Sequence, residues 1–423
     1  MIAQKSLRLA CLALLLCPLG ACSKRKHDIE MAYTADSIGI GIINERVARL
    51  KATEGFDTGV NIIPFNNYAD KILAQYAAGM APDILWVEVG FYVTLQQAGA
   101  LAPLDEMIAR DHFDMDAFYP GVRARFSSKG HVWALPEDTA PIACLYYNKK
   151  LFREAGLAYP NDSWTWDDML AAAKKLTKRD AQGRTSVWGY KDNYAVDWIN
   201  MVYSNGGTLV DDWRNPTRST VAEPAAVEAV KFLADLINVH KVMPSDADKP
   251  TQGGAGNDLF AAGQLAMLHT GYWISATLRL TKDLDWDIAP FPKGPRAKGH
   301  SWGTGGSGWA ISANAKDKEK AWKAIKMLTS EETQRIYVKQ GYAMPALKAL
   351  ANSEVFLGST PPQNKKFLIS APDQAIYTPD HARFEEANKT VQPQVDLIMR
   401  GSLTPAEGMK AVDAIFNRIL FNK

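Results

Sequence analysis

The chain has 423 residues, 48 Lys and Arg against 46 Asp and Glu, and 47% hydrophobic residues. The near-neutral balance excludes a basic nucleic-acid footprint, and the hydrophobic content excludes a disordered chain. A chain this long outgrows a single core, which stops growing near about 250–300 residues, so two lobes are expected.

Residues 1–21 read as a targeting segment. Lys5 and Arg8 give a positive start, Leu9–Leu16 an apolar run, and Leu19-Gly20-Ala21-Cys22 a small-residue cleavage site ending in cysteine. The run is well short of the roughly 20 residues that span a membrane. The Leu-Gly-Ala-Cys ending resembles a bacterial lipobox, in which Cys22 becomes the lipidated first residue, with 22–28 as a polar tether; a plain secretory cut near Ala21 is the alternative. Cys11 and Cys17 leave with this segment. Cys144 is then the single cysteine of the body, which excludes an intramolecular disulfide.

Ile29 to Tyr33 reads as a strand, Ile38 to Leu50 as a helix and Gly59 to Pro64 as a second strand, a β-α-β opening that favours a parallel sheet. A helix from Tyr68 to Ala78, a buried strand at Pro82–Gly90 and a helix from Tyr92 to Gln97 follow. Ligands bind at the carboxyl ends of strands in open α/β sheets, which selects Thr34, Asn67, Glu88 and Phe91. His131–Leu135 and Ile142–Tyr147 are short apolar runs, and Glu137-Asp138-Thr139-Ala140-Pro141 between them reads as an exposed bend joining two bodies.

Asn148 opens a helix closed at Gly156. Thr165 and Asp168 then have capping-box spacing for the helix carrying Met169, Ala173 and Leu176. Helices are predicted over Tyr194–Tyr203, from Pro224 through Leu236, and over Asn257–Gly263, then strands at Gln264–Thr270 and Asp285–Pro290. Gly294–Gly308 reads as a flexible return between the lobes. It contains a formal GxGxxG (Gly303 to Gly308), but the glycines run into an apolar strand and not a helix, which argues against a dinucleotide site. A helix from Lys318 to Leu328, a capping box and third crossing at Thr329–Glu332, and a helix opened by Thr404-Pro405 with Glu407 complete the chain.

The order Leu135-Pro136, acidic pair, apolar strand, Tyr146-Tyr147-Asn148-Lys149, Leu151-Phe152, Ala155-Gly156-Leu157, Tyr159-Pro160, Thr165-Trp166-Asp167-Asp168 resembles the family 1 extracellular solute-binding proteins of ABC transporters, a group that includes sugar receptors. The resemblance runs from about Ile29 to Leu420. It implies an α/β, two-lobed periplasmic-binding-protein fold with about three hinge crossings and a cleft between the lobes. Lobe 1 would hold 29–138 and 292–329, lobe 2 139–291 and 330–423. It further implies a carbohydrate-binding receptor at the cell envelope, a monomer delivering its ligand to permease subunits served by a separate ATPase, with no cofactor.

A sugar needs carboxylates and amides for its hydroxyls and rings for its C–H face. Glu88, Asp138, Asn67 and Asn205 are candidates for the polar edge; Tyr33, Phe91, Trp198, Trp273, Trp302 and Phe384 for the faces. In the family a tryptophan placed as Trp273 is, two residues after a glycine, commonly lines the sugar site, and a Gly-Gly pair before a short strand, here Gly305-Gly306, lets backbone approach ligand. The ligand stays open between saccharides and phosphorylated polyols such as glycerol phosphate. A secreted glycoside hydrolase is the competing class, but adjacent carboxylates such as Glu137-Asp138 or Asp105-Glu106 would point to opposite faces of a strand. The seven His stand apart, so no metal site is expected.

Overall fold

The computed structural model describes residues 26–192, 197–245, 248 and 255–423. The targeting segment and Cys22 lie outside the described residues, as does the start of the helix expected from Tyr194.

The first sheet orders its strands Thr58–Ile62, Ile29–Tyr33, Ile84–Glu88, Ser307–Ile311 and Ala134–Pro136. Its first three strands are parallel and the last two antiparallel to their neighbours. The opening β-α-β reading therefore holds. The crossover helix Ser37–Glu54 is capped by Asp36, which accepts from Gly39 N at 2.9 Å, and ends at Gly55 in the left-handed region, φ 77°. Helix Lys318–Leu328 packs beside it and against Ser307–Ile311, burying Trp322, Ile325 and Leu328.

The second sheet runs Trp286–Pro290, Cys144–Asn148, Leu265–Thr270, Thr185–Asp192 and Lys178–Arg179. Thr165 and Asp168 form the expected capping box on helix Trp166–Leu176. Thr404 and Glu407 do the same for the terminal helix Pro405–Phe421, which braces this lobe by packing on Phe384–Met399 and Pro224–Asn238. Cys144 is a buried free thiol.

Between the lobes lies a third sheet ordered Met344–Pro345, Asp138–Pro141, Trp302–Gly305, Ala375–Ile376. Its two central strands carry the chain from lobe to lobe. They pair antiparallel, Thr304 with Pro141 and Gly305 with Ala140. The predicted exposed bend at 137–141 is thus mostly a strand of this hinge sheet, and Glu137 is 3% exposed. Its composition reads as a turn, but its backbone is paired on both sides and its carboxylate has partners from elsewhere in the chain. The return at 294–308 likewise holds the strand Trp302–Gly305 and the start of the next, so the GxGxxG pattern spans two strands. At the third passage Ser330 caps helix Glu331–Gln340, accepting from Thr333 N; that helix still packs against Ser37–Glu54.

Candidate functional site

A cavity of about 620 Å³ sits between the two large sheets, floored by the hinge. This is within the range of small-molecule sites, roughly 300–1,000 Å³. The first lobe contributes the ends of its parallel strands: Tyr33 and Thr34, Phe65 after Thr58–Ile62, and Trp86 and Glu88. Trp86 and Glu88 are two apart on one strand and so share a face. The hinge adds Glu137 to Ala140 and Gly305 to Ser307, the second lobe Tyr272 and Trp273, and the third passage Tyr337 and Tyr342.

At its base, the Glu137 carboxylate pairs with the Arg46 guanidinium, accepts from Trp86 Nε1 at 3.0 Å and accepts from the Ser307 hydroxyl at 3.3 Å. Tyr337 donates to Glu137 O. Arg46 comes from the first helix and lies 5.7 Å from the ring centroids of both Trp309 and Tyr337. Asp138 accepts from Ser307 N at 2.9 Å and from Ser307 Oγ at 2.7 Å. The neighbours Glu137 and Asp138 were expected to diverge. Both reach Ser307 instead, because residue 137 sits where the chain leaves one sheet for another. Burial, and then the Glu137 charge, raise the Asp138 carboxyl above its ordinary range. Glu88 caps the next helix, accepting from Gly90 N at 2.6 Å, and burial pushes it up to about 8.

Two glycines make the geometry possible. Gly306 adopts φ 136°, a region closed to other residues, with Asp138 O 3.3 Å from where a Cβ would lie. A Cβ on Gly271 would fall 1.8 Å from the Trp273 ring, so only glycine lets that ring fold back over the backbone.

Of the residues selected from sequence, Tyr33, Thr34, Glu88, Asp138, Trp273, Gly305 and Gly306 line the cavity. The others are not among its described lining. Phe91 is buried behind it, stacked on Tyr68 at 5.1 Å. Trp198 and Phe384 are in the second lobe's core, and Trp302 is buried with its indole donating to Ala371 O at 3.0 Å. Asn205 is wholly buried and ties Ala225 O to Arg296 N. Asn67 is exposed at the end of a short 3-10 turn. Sequence reasoning missed Arg46, Phe65, Trp86, Tyr272, Tyr337 and Tyr342, and saw Glu137 only as a rejected catalytic carboxylate. The alternation Trp86-x-Glu88 was the signal available for Trp86.

Beside the edge strand of the hinge sheet, Ala375–Ile376, the lobes also touch. Arg214 of the second lobe donates to Ala124 O at 2.9 Å and Ser127 O at 3.0 Å, and Arg125 reaches Thr378 Oγ1 at 3.1 Å. Thr94 donates to Ala382 O at 3.3 Å.

The family of bacterial extracellular solute-binding proteins matches residues 42–335. The chain belongs to this family. An ABC substrate-binding protein from Listeria monocytogenes, solved in complex with cycloalternan, superposes with a TM-score of 0.83 at 26% identity, over 92% of this chain and 98% of that one. The maltotriose-binding protein of Pyrococcus abyssi is 24% identical over 349 residues, 77% of this chain and 72% of its own. The sn-glycerol-3-phosphate-binding periplasmic protein of Agrobacterium fabrum is 33% identical, over 39% of each chain. The fold is accordingly the two-lobed periplasmic-binding-protein architecture, and the family works outside the cytoplasmic membrane in ABC transport. The family is one of solute-binding proteins, and the Listeria neighbour is a substrate-binding protein. No helix among the described residues is long and apolar enough to cross a membrane.

Proposed function

We propose that this protein is the receptor of an ABC importer, taking a mono- or oligosaccharide into the interlobe cavity and closing on it for delivery to the permease. The observation that carries this is the lining: carboxylates beside a half-exposed phenylalanine and partly buried tryptophans, the donor–acceptor edge and apolar face that a saccharide demands. The relatives that bind maltotriose and cycloalternan support it.

In this reading lobe 1 comprises 29–138 and 292–329, and lobe 2 139–291 and 330–423, with 292–301 laid against lobe 2 through Gly294 N to Ser204 O and Ser301 Oγ to Tyr203 O, and helix Glu331–Gln340 leaning on lobe 1. Tyr33, Thr34, Glu88, Asp138, Trp273, Gly305 and Gly306 contact ligand in this reading, joined by Phe65 and Trp86. A ligand touching both lobes stabilises the closed form by its differential affinity. The receptor is a monomer held at the membrane by lipid on Cys22, and it performs no chemistry on its cargo. A phosphorylated polyol is disfavoured, because the cation lining the cavity, Arg46, is already paired with Glu137.

Calorimetry of the mature, unlipidated protein against a saccharide panel tests this, with each hit recovered and analysed. Binding with the saccharide returned intact supports a receptor; hydrolysis would make it an enzyme. Fatty-acid labelling in cells that disappears in Cys22→Ser supports the anchor, and unchanged labelling overturns it.

A further inference from the structure

The charge around the cavity is one-sided. Among the described lining residues, the carboxylates of Asp36, Glu88, Glu137 and Asp138 face one guanidinium, that of Arg46. Arg46 is wholly buried, paired with Glu137 and bonded to Leu328 O, so its charge is already matched, although its buried Nε has no partner among the described residues. Asp138 accepts twice from Ser307.

Glu88 is different. Its Oε2 accepts from Gly90 N at 2.6 Å, but its Oε1 accepts from none of the described residues and lies on the cavity side, 3.6 Å from where a Cβ on Gly305 would be. Glu385, from the second lobe, brings another carboxylate close: its Oε1 and Glu88 Oε2 are 3.4 and 2.7 Å from the point a Gly90 Cβ would occupy. The nearby guanidinium, Arg125, is spent on Val89 O at 2.7 Å and Thr378 Oγ1 at 3.1 Å. Burial raises Glu88, and Glu385 and Asp138 add to that while Arg125 opposes it. In the same wall Thr139 Oγ1 is buried and has no partner among the described residues.

A carboxylate short of water, with like charges around it and one oxygen open to the cavity, is complemented by a donor that carries positive charge. A hydroxyl donates without relieving the repulsion, and a phosphate adds to it. We propose that the preferred ligand is a saccharide bearing a protonated primary amine, its ammonium seated on Glu88 Oε1 with Asp138 as the second counter-charge. This deepens the carbohydrate reading and rests on it.

The test is calorimetry at about pH 7.5, where an amine of ordinary basicity (~7.7–8.0) is still largely charged and seating it draws off the proton that burial otherwise holds on Glu88 up to about 8. The probes are the glucosamine disaccharide, its N-acetylated form, cellobiose and glycerol 3-phosphate. The expected result is that the free-amine disaccharide binds at least about tenfold tighter than its N-acetylated and neutral counterparts, and that raising NaCl from about 0.02 to 0.3 M weakens only the amine probe. Glu88→Gln should cost the amine probe about tenfold more than it costs cellobiose; Asp138→Asn is the second variant, with a smaller selective loss. Neutral saccharides binding as tightly as the amine, or an amine preference unchanged in both variants, overturns this inference while leaving a sugar receptor. Binding of glycerol 3-phosphate alone, or of none of the probes, overturns the carbohydrate reading as well.

Discussion

Arg46 and Glu137 form an ion pair at the floor of the cleft, their side chains 0% and 4% exposed, joining the first helix to the point where the chain leaves the first lobe. Ninety-one positions separate them in sequence. The pair anchors the hinge to the first lobe, and Trp86, Ser307 and Tyr337 complete its shell.

Removing one member leaves the other charge buried and unpaired, which typically costs about 3–5 kcal/mol. Arg46→Met and Glu137→Leu should each lower the urea midpoint by that equivalent. The double variant should lose clearly less than the sum of the two, and additive losses would show that the pair is not coupled.

The raised Glu88 carboxyl makes stability depend on pH with a definite sign. Its folded value is about 8 against an ordinary 4.5, so between these values the folded state holds a proton that the unfolded chain releases. Stability from this group is fully present below about pH 4.5 and declines as pH rises toward 8. Glu88→Gln should flatten that decline by on the order of 1–2 kcal/mol, read as melting temperature against pH for the two proteins without ligand.

Trp273 depends on Gly271 for its place. Gly271→Ala should drive the indole off the backbone and weaken saccharide binding about three- to tenfold, the worth of one aromatic contact. Trp273→Ala should weaken it similarly. A Gly271→Ala protein that binds as the parent does would remove Trp273 from the site.

The contact between lobes beside the hinge-sheet strand Ala375–Ile376 should bias the protein toward closure. Arg214→Ala deletes two hydrogen bonds to Ala124 O and Ser127 O, so its radius of gyration without ligand should rise and its affinity fall by about tenfold. An unchanged scattering profile would argue against such a bias.

Much of the scaffold was readable in the chain, because local signals agree with the fold: Asp36 and Gly55 bracket the first helix, and the capping boxes at Thr165 and Thr404 lie where their spacing puts them. The site was readable where a strand end determines it, as at Tyr33, Thr34 and Glu88. It was not readable where partners are distant. Glu137-Asp138-Thr139-Ala140-Pro141 has the composition of a turn, and only Arg46 and Ser307 turn it into a buried hinge. Nor does sequence separate a tryptophan that faces ligand from one that fills a core: Trp198 and Trp302 are buried, whereas Trp273 and Trp86 are left partly open by the shape of the cleft.

The two central hinge strands, Asp138–Pro141 and Trp302–Gly305, are hydrogen-bonded neighbours and not separate tethers. A ribbon of this kind flexes easily across its width, but sliding one strand past the other would break its ladder. The lobes can therefore swing apart like a book about its spine, while translation of one page along the other is resisted. Each return to the shut position brings Ala140 back opposite Gly305 in the same register, so the jaws would meet a ligand with the same alignment each time they close.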